Sequence, residues 1–199
     1  MTDFFATVTR DDTAQQGLDL QGDQHAATGT PTAHIPRART HLPACNVNVL
    51  ALDLGTNCGW ASCTLDGKLA YGTDRFLIRS AGPGARWAAF RAWLSRQITE
   101  REIGAVYFED VKAHGPGQVI AAHTYGGFLA MAQMVCAQHN VRMVGVGVGT
   151  VKKAWTGKGN AKKPEMIAAA QAKGFRVGNS EDNTADALAI LAYGVAQES

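Results

Sequence analysis

Four carboxylates stand at the edges of apolar segments: Asp53 in VLALDLGTNCGWA, Glu109 in AVYFEDV, and Asp182 and Asp186 in EDNTADALAILAYG. A carboxylate at the end of a buried strand, or on the apolar side of a helix, is costly unless something offsets its charge. Several such residues, far apart in sequence, suit one divalent metal centre that the fold draws together. Asp182 and Asp186 are four apart and share one face of a helix. The helix dipole favours an acidic residue in a first turn, which accounts for Asp182 equally well. Asp186 lacks that explanation, because Ala185, Ala187, Leu188 and Ile190 surround it. It calls for a cation or a hydrogen-bonding partner.

A second stretch that bears on chemistry is basic: VKKAWTGKGNAKKPEM. Lys152, Lys153, Lys158, Lys162 and Lys163 crowd around Gly157 and Gly159. With Trp155 among them, the segment reads as a loop on which a phosphate backbone can rest. Lysines that neutralise phosphates give salt-dependent affinity with little sequence information. A solvated charged face is the ordinary alternative for such a run. The GxxxxGK[ST] spacing is absent, which argues against nucleotide binding by a P-loop.

These residues need elements to position them. Val47 to Leu54 is an apolar run of strand length closed by Gly55, and Gly59 opens a second strand through Leu65. Asp66-Gly67 signals a hairpin into a third strand, Leu69 to Ile78. After the break at residues 82–84, Trp87, Phe90, Leu94 and Ile98 recur at helical spacing. Ala105 to Glu109 is a fourth strand, apolar enough to lie inside a sheet. A long small-residue helix over Val119 to Gln138, a fifth strand over Val141 to Val148, a helix from Pro164 to Lys173 and a last helix over Glu181 to Ala196 complete the series. The expected architecture is α/β: a mixed five-stranded sheet, three strands antiparallel and then parallel ones, covered by helices. Asp53 then ends the first strand at its carboxyl edge, where open α/β sheets place ligands. Glu109 and its neighbour Asp110 point to opposite faces, so only one of them can join Asp53.

The chain has 199 residues and a net charge of +2. Residues 1–45 hold five Asp against three Arg, so the remainder carries four net positive charges. That first segment is rich in Gly, Thr, Gln and Pro with little apolar periodicity, and reads as a flexible tail before a domain spanning 46–199. No apolar run reaches the roughly 18 residues of a membrane span, so no membrane partner is expected. Four scattered cysteines form neither a disulfide framework nor a zinc site. A reduced, cytoplasmic setting is the expectation.

The ordered set of an apolar strand with Asp-x-Gly, apolar-Glu-x-Val and Asp-Ala-Leu-Ala-Ile resembles the RuvC-type Holliday junction resolvases, especially those of phages and prophages. The similarity runs from Val47 to Gly194. It implies the RNase H-like fold, a bacterial host cytoplasm and a homodimer that cuts four-way junctions in paired nicks. It also implies phosphodiester hydrolysis assisted by two Mg²⁺ ions, for which Mn²⁺ substitutes. By resemblance Asp53, Glu109 and Asp186 are ligands, Lys152 and Lys163 are the family's basic residues, and Lys163 serves the reaction. The family's remaining helix carboxylate falls at Asn183, so Asp182 is the substitute or the site works with three. The aromatic residue that follows the strand carboxylate in bacterial members is replaced by Lys112, which joins the lysines as a DNA contact. Three alternatives stand beside this reading. DLGTNCGW also resembles the phosphate loop of actin-like ATPases and sugar kinases, though these need two such domains. A catalytically silent DNA-binding protein of the same fold is the second, and a related nuclease acting on RNA is the third.

Overall fold

The computed structural model describes residues 42–77, 82 and 84–199. The proposed tail lies outside the described residues up to position 41, as does Ile78 at the expected end of the third strand. Close to the domain, Cys45 is buried, Leu42 packs on the core, and the Asn46 amide donates to the Glu198 carbonyl at 2.8 Å.

In chain order the elements are β1 (Val49–Asp53), β2 (Asn57–Cys63), β3 (Leu69–Arg75), α1 (Ala85–Glu100), β4 (Ala105–Asp110), α2 (Val119–Gln138), β5 (Arg142–Gly147), α3 (Val148–Thr156), α4 (Lys163–Ala172) and α5 (Asp182–Gln197). The strands form one sheet in the order β3-β2-β1-β4-β5. β1, β2 and β3 pair antiparallel, while β4 runs parallel to both β1 and β5. The Asp66-Gly67 turn forms as expected: Gly67 takes a φ of 74°, and the Thr64 amide reaches the Lys68 carbonyl at 3.1 Å. This is the mixed sheet that the sequence pattern calls for.

β1 is apolar throughout because both its faces are covered. Val49 and Ala51, with Ala105 and Tyr107 of β4, pack under α3, α4 and α5. Leu50 and Leu52, with Val106 and Phe108, pack under α1 and α2 through Phe90, Leu94 and Phe128. Glycines let helices come close where a side chain would not fit. A Cβ at Gly194 of α5 would stand 2.9 Å from the Tyr107 ring, and one at Gly127 of α2 would meet the Trp87 ring at 2.4 Å. Gly127 therefore serves packing within the chain, whereas nothing lies within 4 Å of a Cβ at Gly126.

Two expectations are corrected. The basic stretch read as a loop is helical in its first part, where Val148–Thr156 forms α3. Val151 and Trp155 are buried one helical turn apart, and the Trp155 indole donates to the Met166 carbonyl at 3.2 Å. The flanking glycines and the lysines masked that spacing; Gly157, with a φ of 81°, ends the helix rather than shaping a loop around Trp155. The second correction concerns apolar length. α2 holds no Asp, Glu, Lys or Arg, and by length and composition alone is long and apolar enough to cross a membrane. Its scattered His, Thr and Gln interrupt any unbroken apolar run. It packs on the sheet through Phe128, Ala132, Val135 and Cys136.

Candidate metal centre

Register decides which carboxylates meet. β1 and β4 pair from Val49 with Ala105 through Leu52 with Phe108. One further step sets Asp53 beside Glu109, on strands about 4.8 Å apart. Side chains alternate between faces, and the odd-numbered residues of both strands face α5. Asp53 and Glu109 thus share the α5 side. Asp110 falls to the opposite side, where it pairs with Lys112. Of the two neighbours Glu109 and Asp110, it is therefore Glu109 that shares a face with Asp53.

α5 brings the other two carboxylates. Gly59 lies opposite Asp53 in the antiparallel β1–β2 pair. A Cβ at Gly59 would stand 2.0 Å from the Asn183 carbonyl oxygen, so the first turn of α5 rests directly on this glycine. The Thr73 and Thr184 hydroxyls, 2.9 Å apart, tie the same turn to β3. Asp182 and Asp186 are thereby held over the end of β1. Both Gly59 and the Thr73–Thr184 pair escape a sequence reading. The only available signal is that Gly59 lies six residues after Asp53 within the same glycine-containing motif.

The electrostatics follow from this crowding. Burial pushes the Asp53 carboxyl up to about 8, and the charges of Asp186, Glu109 and Asp182 push in the same direction. Asp186 rises to about 6, chiefly through burial, with Asp182 adding to the rise and Lys152 and Lys163 opposing it. Glu109 is raised by burial and then by Asp186, against the pull of Lys152. Lys163 donates to an Asp182 carboxylate oxygen. That bond, followed by the Asp182 charge, raises the Lys163 ammonium above its usual range.

The structure therefore gathers Asp53, Glu109, Asp182, Asp186, Lys152 and Lys163 at one edge of the sheet. The remaining lysines are not in that cluster. Lys112 pairs with Asp110, and Lys158 pairs with Glu165 at 3.1 Å. Lys162 caps α4 through its amide, which donates to Glu165 at 2.8 Å, and Lys153 is exposed on α3.

The donor set fits hard divalent cations: four carboxylates, no sulfur or imidazole, and only two lysines to balance them. Among the described residues, no three His, Cys, Asp or Glu side chains close on a single point as they would around an ion. Burial, and then the neighbouring carboxylate charges, push Asp53 up, and a cation among these groups would offset that push.

No protein-family model and no curated protein matches the chain. Solved structures do. The Thermus thermophilus RuvC structure superposes with a TM-score of 0.61 at 22% identity, over 75% of this chain and 95% of that one. T. thermophilus RuvC in complex with a Holliday junction substrate gives 0.64 at 21% identity, over 77% and 96%. The yeast mitochondrial Holliday junction resolvase Ydc2 gives 0.53 at 13% identity, over 75% and 77%. The chain has the RNase H-like fold of RuvC. In this chain's version of the RuvC fold, the gathered carboxylates lie where parallel β1 and β4 end beneath α5.

Two consequences can be measured. Gly59→Ala forces its methyl into the Asn183 backbone and should cost about 3 kcal/mol in urea unfolding. Gly55→Ala, whose Cβ meets nothing closer than 3.8 Å, serves as the tolerated control. The second concerns pH. The folded Asp53 carboxyl titrates near 8, against about 3.8 when free, so the folded state binds more protons between those values. Its contribution to stability therefore falls as pH rises from about 4 to 8. In EDTA, Asp53→Asn should raise Tm relative to wild type at pH 8, and the gap should narrow towards pH 5. A gap that is constant across this range would contradict the assignment.

Proposed function

We propose that this protein is a Mg²⁺-dependent, structure-selective endodeoxyribonuclease that resolves Holliday junctions or other branched DNA by paired nicks. One observation carries the reading: Asp53 and Glu109 stand in register beneath Asp186, with Lys152 and Lys163 at their flanks. The fold shared with RuvC, a protein solved in complex with a Holliday junction substrate, supports the DNA partner. A phage or prophage origin and action in the host cytoplasm belong to the same reading.

In this reading Asp53, Glu109 and Asp186 hold the ions, and Asp182 adds its carboxylate while paired with Lys163. When bound, two Mg²⁺ ions supply activation of the attacking water and stabilisation of the leaving oxygen, and Mn²⁺ substitutes. The chain's own groups do the rest. Burial and mutual repulsion favour protons on these carboxyls in the absence of a cation, and a bound cation would take the place of those protons. Lys152 lies near Glu109 and Asp186, where its ammonium offsets charge as the phosphate enters. Lys163 is held by Asp182 at the outer side and stabilises the extra negative charge of the transition state. Lys153, Lys158, Lys162 and Lys112, all exposed, are placed to meet the DNA backbone further out.

The same reading includes a homodimer, and α2 supports it. Val119, His123, Gly126, Ala130, Gln133 and Ala137 are exposed and recur at alternating spacings of four and three. This is a seam without acidic or lysine and arginine side chains, half of it Gly and Ala, at the period of paired helices.

The reading is tested with labelled four-way junction, linear duplex and RNA hairpin, with and without Mg²⁺. Symmetric nicks confined to the junction and dependent on Mg²⁺ are expected, and Asp186→Asn should reduce them roughly 100-fold or more. Undiminished cutting by that variant would sink the site assignment. ATP turnover without cutting would instead favour the kinase-like alternative. For the dimer, Ala130→Glu should halve the mass measured by light scattering and convert paired nicks to single ones. An unchanged mass would remove α2 as the interface.

A further inference from the structure

Tyr125 of α2 reaches the end of β4 with its hydroxyl, which makes two hydrogen bonds to the backbone there. It donates to the Glu109 carbonyl at 2.9 Å and accepts from the Val111 amide at 3.1 Å. In a parallel ladder, one residue of the neighbouring strand bonds the carbonyl of one position and the amide two residues further on. A phenol both donates and accepts, so a single oxygen does the same here. The bridge falls where the ladder gives out. β1 and β4 are paired only as far as Leu52 with Phe108, which leaves Glu109 one residue beyond. On its other side β4 stays paired with β5 up to Asp110 and Gly147, and residues 111–118 then form neither helix nor strand.

We infer that Tyr125 is the positioning residue for Glu109, holding the peptide from which that carboxylate projects. The inference rests on the nuclease reading and deepens it. Backbone and side chain of Glu109 leave the same Cα, so fixing the carbonyl sets the direction of the carboxylate. The Asp186 charge acts on Glu109, and a strand end without a partner would yield to that repulsion by turning Glu109 away. The anchor is itself fixed. Gly127 lies close under the Trp87 ring and Phe128 is buried, which sets α2 on the sheet on either side of a single turn. The His114 ring packs on the Tyr125 ring with centroids 5.5 Å apart. Phenylalanine would pack as well as tyrosine at this position. The hydroxyl is what the packing does not require, and both its bonds go to the backbone around Asp110.

The experiment compares wild type with Tyr125→Phe at a temperature where both are folded. Mn²⁺ affinity is read without DNA, from the paramagnetic resonance of the free ion, and cutting of a four-way junction in Mg²⁺ gives kcat and KM. Groups that orient metal ligands typically matter 10-fold to 100-fold in affinity or activity. Tyr125→Phe should therefore weaken Mn²⁺ binding roughly 10-fold and lower kcat by a similar factor, with KM for the junction unchanged. If Mn²⁺ affinity matches wild type, and only Tm falls or only KM rises, the hydroxyl serves stability or DNA contact. The proposal then falls while the nuclease reading stands. If wild type binds Mn²⁺ but cuts no junction, the nuclease reading falls, and the affinity comparison still decides whether Tyr125 orients Glu109. Wild type that binds no Mn²⁺ overturns both.

Discussion

Like charges crowded beneath one helix are the constraint around which this domain is arranged. Asp53 and Glu109 are neighbours because two parallel strands end together, and Asp186 joins them because α5 lies across those ends. Burial raises Asp53, Glu109 and Asp186, neighbouring carboxylates raise them further, and Lys152 and Lys163 act against the trend. An apolar core alone would not tolerate this arrangement. The sheet and α5 must therefore be rigid enough to hold the groups in place. The close contact at Gly59, the threonine pair at Thr73 and Thr184, and the Gly194–Tyr107 contact supply that rigidity along the length of the helix.

The other face of the sheet has a different task. Phe76, Phe90, Trp93 and Phe128 interlock there, with ring centroids 4.9 to 6.0 Å apart. This aromatic layer fixes α1 and α2 on the sheet without any part in the charged edge. The division of labour follows from strand alternation. Even-numbered residues of β1 and of β4 as far as Phe108 make a hydrophobic platform, and odd-numbered ones pass from apolar to acidic as the strands reach their ends.

Much of this was legible in the sequence, for identifiable reasons. β1 and β4 show as apolar runs that end in acids, and α5 shows because Asp186 interrupts an otherwise apolar face. What stayed hidden depends on partners distant in the chain. Glu109 and Asp110 differ only in which face they use, and the pairing with β1 decides that. Gly59 looks like a turn residue until the Asn183 backbone is found against it. α3 was lost among glycines and lysines, although Val151 and Trp155 carried its spacing. The uncharged length of α2 was broken up by polar residues that contribute no charge.

The order of the elements along the chain has one more consequence. All five strands precede α5, and so do both lysines of the cluster. A ribosome making this protein thus releases Asp53 and Glu109 long before Asp182 and Asp186. An unfinished sheet would expose its acidic edge without the helix that completes it. The step that seals the hydrophobic core is thus the same one that completes the carboxylate cluster.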